Sequence, residues 1–321
     1  MSVERASAFW ISAPGEGELR HVDVSCGDGD VLIRTLYSGI SRGTERLVFH
    51  GQVPASEHET MRSPFQEGSF SYPVKYGYAA VGEVQNTHSE GQIVFALFPH
   101  QSCFSVPQPA AFPLPPGVPA ARAVLAANME TALNILWDAG VGPGDKIAVV
   151  GCGVVGALAG YLAAQIPGTD VSLIDIDPSR AALAEKLGCA FSNPDDATGD
   201  ADVVIHASAS DAGFANSIAL AGVEATIVEA SWYGTKATKA PLGGRFHQRR
   251  LRIIASQVGR IPAQRAARWD FSRRMRKALT LLEDPRLDSL ISGESELSNL
   301  PRDYAAILTD PSTLCHRIRY T

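Results

Sequence analysis

Several things that a chain of 321 residues can carry are missing from this one. No run of apolar residues reaches bilayer-spanning length, and the opening Met1-Ser2-Val3-Glu4-Arg5 lacks the charged-then-apolar order of a secretion signal. No membrane partner is therefore expected, and a cytoplasmic location follows by default. Excess positive charge is also absent: the net charge is −6 and the sequence pI about 5.8, which excludes the broad positive field that binds nucleic acid. The five cysteines (Cys26, Cys103, Cys152, Cys189, Cys315) are odd in number, widely spaced and contain no Cys-x-x-Cys pair. That excludes a disulfide framework and a structural zinc lobe, and reduced thiols are expected. There is no internal repeat and no low-complexity tract, since prolines and glycines gather at turns such as Pro-Leu-Pro-Pro-Gly at 113–117.

What remains, 45% hydrophobic and 19% charged residues, is enough for two cores. Residues 31–37, 79–84 and 93–97 read as strands of a β-rich domain, followed by a proline-rich stretch at 107–119 expected to be a hinge or linker and a helical pattern over 120–136. The periodicity then changes. Strands at 146–150, 171–175, 202–205, 225–229 and 251–255 alternate with helices at 154–165 and 178–187, as in a parallel sheet. Beyond Pro262, a helix reaching 276–282, a short segment at 287–291, a helix near Tyr304 and a terminal strand at 315–320 return to the first domain. The expected fold class is α/β: a Rossmann doubly wound parallel sheet plus a discontinuous β-rich domain, divided as 1–118, 119–259 and 260–321.

Gly151-Cys-Gly-Val-Val-Gly156 follows a strand and opens a helix. In that context the first glycine makes the turn, the second admits a pyrophosphate, and the third lets helix and strand pack closely; Val154 and Val155 bring the helix N–H groups toward the phosphates. Asp175 ends the next strand, about twenty residues on, where a carboxylate accepts from both ribose hydroxyls and repels a 2′-phosphate. NAD is therefore the expected cofactor. NADP is the lesser alternative, through Arg180. Asp177 reads as a helix cap. His206 and Ser231, at the ends of later strands, are further cofactor-binding candidates, with a satisfied structural histidine as the alternative for His206. Arg249 and Arg250 read equally as an anion site or as solvated surface charge.

The chain resembles the medium-chain dehydrogenase/reductase family, over nearly its whole length. Gly39-Ile-Ser-Arg-Gly-Thr-Glu45 is similar to the family's Gly-Ile-Cys turn, and Pro73-Val-Lys-Tyr-Gly-Tyr-Ala-Ala-Val-Gly82 to its Gly-His-Glu segment. Ser38-Gly-Ile-Ser-Arg-Gly-Thr-Glu45, Gly77-Tyr78 and Tyr304 with Asp310-Pro311 are most similar to the subgroup that includes the bacteriochlorophyllide hydroxyethyl dehydrogenase. The resemblance implies a GroES-like β domain beside the Rossmann domain, a small-molecule substrate and a homodimer. It also exposes departures. The zinc-ligand positions hold Ser41, Tyr78 and Ala79, and no Cys or His occurs at 126–130, so no zinc is expected. His100 and Cys103, three apart, read as a replacement ligand pair or, more often for a lone pair in a loop, as incidental neighbours.

Without a metal, hydroxyl groups must polarise the substrate oxygen and move its proton, and Ser41, Thr44 and Tyr78 occupy the matching positions. His100 is a proton-relay candidate. Arg42 is expected to approach the pyrophosphate, or with Glu45 to orient the turn. Residues 50–72, with Met61, Phe65 and Phe70, are expected to shape the substrate mouth or to cover a subunit contact. The leading function is a zinc-independent oxidoreductase passing hydride between nicotinamide and an alcohol or ketone. Reduction of conjugated C=C bonds, as in quinone and enoyl reductases, is the alternative enzyme, and a nucleotide-binding relative without turnover is the third reading.

Overall fold

Alternation of buried and exposed side chains builds the longest strands, and a computed structural model describes residues 3–321 of them and their surroundings. The chain divides into two units, Met1–Ala127 with Met275–Thr321, and Asn128–Arg274. The divisions fall later than the expected 118/119 and 259/260. Arg122 explains the first: its guanidinium bonds the Asp288 carboxylate at 2.7 Å and the Leu282 and Glu283 carbonyls, tying the helix Ala120–Ala123 to the first unit. Arg274 explains the second. Almost wholly buried, it bonds Glu130 and Asn134 and so holds 260–274 to the second unit.

The first unit contains two sheets. In one, Glu16–Ser25, Val3–Ala13, Val74–Lys75 and Glu67–Gly68 lie side by side; its long opening hairpin went unmarked in the sequence reading. In the other the order is Ile291–Glu296, Cys315–Arg319, Asp30–Ser41, Ala80–Val84, Ile93–Ala96 and Phe112–Pro113, with Cys103–Pro107 added on Asp30–Ser41. The proline-rich stretch is therefore no hinge. Phe112 pairs with Phe95 and Pro113 with Val94, because proline is tolerated on an edge strand that needs no donor there. Asp30–Ser41 organises the unit, pairing with Cys103–Pro107 early and with Cys315–Arg319 at its end. Val31, Ile33, Ala80, Val84, Phe98, Phe104 and Val106 form a core beneath it.

In the second unit six parallel strands run in the order Ala190–Ser192, Asp170–Ile174, Lys146–Val150, Ala201–His206, Ala221–Glu229, Arg252–Ala255. This is the doubly wound arrangement, first strand central and order reversing beside it. Strand Lys146–Val150 is buried over its last four residues because both sheet faces are covered, which is why it reads as a continuous apolar run. Val150 stands between Ile174 and His206, at the switch point. The expected helix at 120–136 is two helices, Ala120–Ala123 and Ala126–Ala139, one in each unit for most of its length. Among the described residues no helix is long and apolar enough to cross a membrane.

Candidate functional site

In the second unit the glycine turn follows strand Lys146–Val150 and leads into helix Val154–Ala163, with Gly153 as N-cap. The three glycines are required for different reasons. Gly151 adopts φ +103, and a Cβ there would lie 2.7 Å from the Ser208 N. At Gly156 a Cβ would lie 1.9 Å from the Gly151 carbonyl oxygen, a clash of backbone on backbone. Gly153 differs: its Cβ would meet nothing within 4 Å, so packing does not demand glycine there and the space beside it is open. Val154 is buried and Val155 half-buried, both in the first turn, where intrahelical bonding leaves N–H groups unpaired.

Asp175 is pinned against this turn. Its Oδ2 accepts from the Cys152 N–H at 2.6 Å and its Oδ1 from the Asp177 N–H at 3.0 Å. Asp177 caps the next turn by accepting from the Ser179 N–H, and Arg180 lies 3.5 Å from the same carboxylate. His206 is wholly buried with both ring nitrogens engaged, Nδ1 by Glu229 Oε2 at 2.7 Å and Nε2 by Ser208 Oγ at 2.7 Å. Ser231 donates its N–H to Glu229 Oε1, and its Oγ accepts from the Ala209 N–H. The arginine cluster has a local explanation in backbone carbonyls and a surface ion pair. Arg245 and Arg249 donate to the Ala219 and Ala221 oxygens, and Arg250 forms an exposed pair with Glu224 at 2.9 Å.

In the first unit three of the four proposed catalytic residues meet. The Ser41 and Thr44 hydroxyls both hydrogen-bond the Tyr78 phenol. Burial first and the Glu45 charge second push the Tyr78 hydroxyl up to about 12, against the two hydroxyls, which pull it down. Ser41 ends strand Asp30–Ser41 and Thr44 lies in the first turn of helix Arg42–Phe49, so a strand-to-helix corner sets both; Arg42, half-buried, opens that helix.

The fourth, His100, belongs to a second network beside them. Its ring packs on Gly77, where φ is +116 and a Cβ would lie 3.0 Å from the imidazole. Its Nδ1 bonds Ser38 Oγ at 2.8 Å and its Nε2 bonds Glu45 Oε2 at 3.0 Å, and both His100 and Glu45 are 0% exposed. The two His100 nitrogens are thus directed to Ser38 and Glu45 and not to Cys103. Among the described residues no group of three or more His, Cys, Asp or Glu is placed to hold a metal.

Glu45, expected to orient the turn, is a hub of wider reach than that expectation. It also accepts from the Ser41 N–H at 2.7 Å and the Tyr304 hydroxyl at 2.6 Å. The reach back to Ser41 is one residue longer than a capping box, a faint but readable signal. Ser38, Tyr304 and Tyr320 were unassigned; Ser38 Oγ meets the Tyr320 hydroxyl at 2.8 Å. In the 50–72 segment, Phe70 is buried against Tyr76 at 5.7 Å between ring centroids, and Phe65, 38% exposed, lies 5.6 Å from Phe98.

No family model matches the chain. A stretch of 107 residues is 32% identical to the 2-desacetyl-2-hydroxyethyl bacteriochlorophyllide A dehydrogenase of Cereibacter sphaeroides, covering 32% of this chain and 30% of that protein. A zinc-binding dehydrogenase from Sinorhizobium meliloti bound to NADP superimposes with a TM-score of 0.77 at 19% identity, over 98% of this chain and 99% of the other. An Escherichia coli alcohol dehydrogenase complexed with NADH superimposes with a TM-score of 0.76 at 15% identity, over 99% of each chain. The chain therefore has the fold of these dehydrogenases, a Rossmann domain with a GroES-like β domain, and the resemblance to medium-chain dehydrogenase/reductases holds at the level of fold.

Proposed function

We propose that the chain is a zinc-independent, nicotinamide-dinucleotide-dependent oxidoreductase that moves hydride between the cofactor and an alcohol or ketone. The observation that carries this reading is the contrast among the three glycines: Gly151 and Gly156 are demanded by packing, whereas Gly153 faces open space at a helix N-terminus. A glycine that packing does not require suits a backbone that a phosphate must approach. NAD is the preferred form. Asp175, held by two N–H groups beside the turn, would repel a 2′-phosphate, and Arg180 already has Asp177 as counter-ion.

When bound, the nicotinamide ring would supply or accept the hydride. Everything else falls to the chain's own groups. Burial and the nearby Glu45 charge keep Tyr78 protonated through the neutral range, and this phenol, hydrogen-bonded with Ser41 and Thr44, is the group that would give its proton to a substrate oxygen. Glu45 fixes the corner that carries Ser41, and His100 and Tyr304 fix Glu45. His100 acts here as a positioning residue, since both its nitrogens are occupied by protein.

A homodimer is the assembly we favour. Strand Arg252–Ala255 has a single neighbour in its sheet and presents Ile253, and the adjoining strand presents Val223 at 72% exposure; a second copy would cover both.

The function is tested by titrating NADH and NADPH by fluorescence and then assaying ketone and enone panels. Tighter NADH binding with ketone reduction is expected, and Asp175→Ala should narrow the cofactor difference. Tighter NADPH binding would overturn the NAD assignment. Turnover of enones alone would replace the alcohol–ketone reading, and cofactor binding with no turnover on either panel would make the chain a nucleotide binder.

A further inference from the structure

The second unit holds a hydrogen-bonded chain to which the proposed hydride transfer assigns no proton step. His206 ends strand Ala201–His206 and Ser208 lies two residues on, in the turn before helix Asp211–Leu220. Ser208 is exposed, while the imidazole beneath it is 0% exposed. Ser208 Oγ lies 2.7 Å from His206 Nε2, and His206 Nδ1 lies 2.7 Å from Glu229 Oε2. The Glu229 carboxylate is held in turn, Oε1 by the Ser231 N–H at 2.8 Å and Oε2 by the Tyr233 hydroxyl at 3.1 Å. A carboxylate so fixed accepts a hydrogen bond from Nδ1–H and holds the proton on that nitrogen, which leaves the Nε2 lone pair for the serine hydroxyl.

We infer that Ser208, His206 and Glu229 form a serine nucleophile, its general base and the base's orienting acid, able to cleave small esters. Three further observations fit that use. The serine sits on a strand-to-helix turn, the placement that exposes a nucleophile, and Ala209 immediately after it is held at φ +52, a left-handed conformation that a non-glycine residue adopts at a cost. Gly213 lets the serine oxygen come close, since a Cβ there would lie 2.1 Å from Ser208 Oγ. In the first turn of the ten-residue helix Asp211–Leu220 the Gly213 N–H is capped by Ser210 Oγ at 3.0 Å, which leaves the N–H groups of Asp211 and Ala212 as donors for a carbonyl oxygen that gains charge.

The reaction closes without a co-reactant other than water. Ser208 Oγ bonds the ester carbonyl carbon while its proton passes to His206 Nε2. The carbon–alkoxide bond breaks and the alcohol leaves with that proton. Water then gives a proton to His206 and its oxygen to the acyl carbon, and Ser208 leaves with the proton returned. One ester and one water give one acid and one alcohol. None of the residues of the glycine turn takes part, although Ser208 packs beside it, its N 2.7 Å from where a Gly151 Cβ would lie.

The test treats the purified full-length protein with a fluorophosphonate probe and, separately, with p-nitrophenyl acetate. A single covalent adduct on Ser208, located by peptide mass spectrometry, is expected together with release of p-nitrophenol. Ser208→Ala should abolish the adduct and lower release by roughly a thousandfold, and Glu229→Gln should lower it by about a hundredfold or more. Circular dichroism verifies that both variants are folded. An unlabelled Ser208, an adduct on another residue, or release in folded Ser208→Ala equal to that of the parent overturns the inference.

Discussion

The Tyr304 hydroxyl donates to Glu45 Oε2 at 2.6 Å across 259 positions of chain, and both groups are buried. Tyr304 is wedged between Phe9 and Phe49 at 4.7 and 5.1 Å between centroids, so its ring is fixed independently of its hydroxyl. Removing the oxygen alone, in Tyr304→Phe, should cost about 1.5–3 kcal/mol, the worth of a hydrogen bond to a charged group. Glu45→Ala should cost more, over about 3 kcal/mol, because the Ser41 N–H, His100 and Tyr304 lose their acceptor together. Urea unfolding measures both. Equal, small losses would mean that the Glu45 network does not hold the corner.

Tyr78 sets an alkaline limit on stability. Its hydroxyl is pushed up to about 12 by burial and then by the Glu45 charge, while the unfolded residue ionises near 10.0. The unfolded chain therefore loses its proton first as pH rises. The contribution is complete below pH 10.0 and disappears as pH climbs through about 12. Tyr304 is raised in the same direction, by burial and by Glu45. Denaturation measured at successive pH values should show stability falling steeply above pH 10.0, with a shallower fall in Tyr78→Phe. An identical fall in that variant would contradict the burial of this hydroxyl.

Much of the second unit was legible in the sequence because a parallel sheet covered on both faces writes each strand as an apolar run, as in Lys-Ile-Ala-Val-Val at 146–150. The convergence of Ser41 and Thr44 on Tyr78 was expected from the resemblance alone, since no spacing rule joins residues of separate segments. The first hairpin was missed for a physical reason. Half of Glu16–Ser25 faces solvent and offers little apolar signal, although its pairing with Val3–Ala13 runs nearly its full length. Proline misled at 112–113, where an edge strand needed no N–H donor. Glu45 could not be read as a hub, because two of its donors, His100 and Tyr304, come from distant segments.

The glycine turn yields paired outcomes. Gly156→Ala places a Cβ 1.9 Å from the Gly151 oxygen and should destabilise the second unit by about 3 kcal/mol or more. Gly153→Ala meets nothing within 4 Å at φ −72 and should leave stability unchanged or slightly raised. Dinucleotide affinity, however, should fall about tenfold or more in Gly153→Ala, equivalent to about 1.4 kcal/mol. Thermal unfolding beside NADH titration separates the two variants. Undiminished NADH binding by Gly153→Ala would remove the main support for the cofactor site.

In the proposed reaction hydroxyl groups polarise the substrate oxygen in place of a metal. This is tested most directly by NADH-dependent ketone reduction in protein stripped with a chelator, comparing the parent with Tyr78→Phe. Undiminished turnover is expected in the stripped parent, with a loss of about a hundredfold in Tyr78→Phe, the range for removing one oxygen-polarising donor. Turnover that vanishes on chelation, returns with zinc and is unaffected by Tyr78→Phe would contradict it.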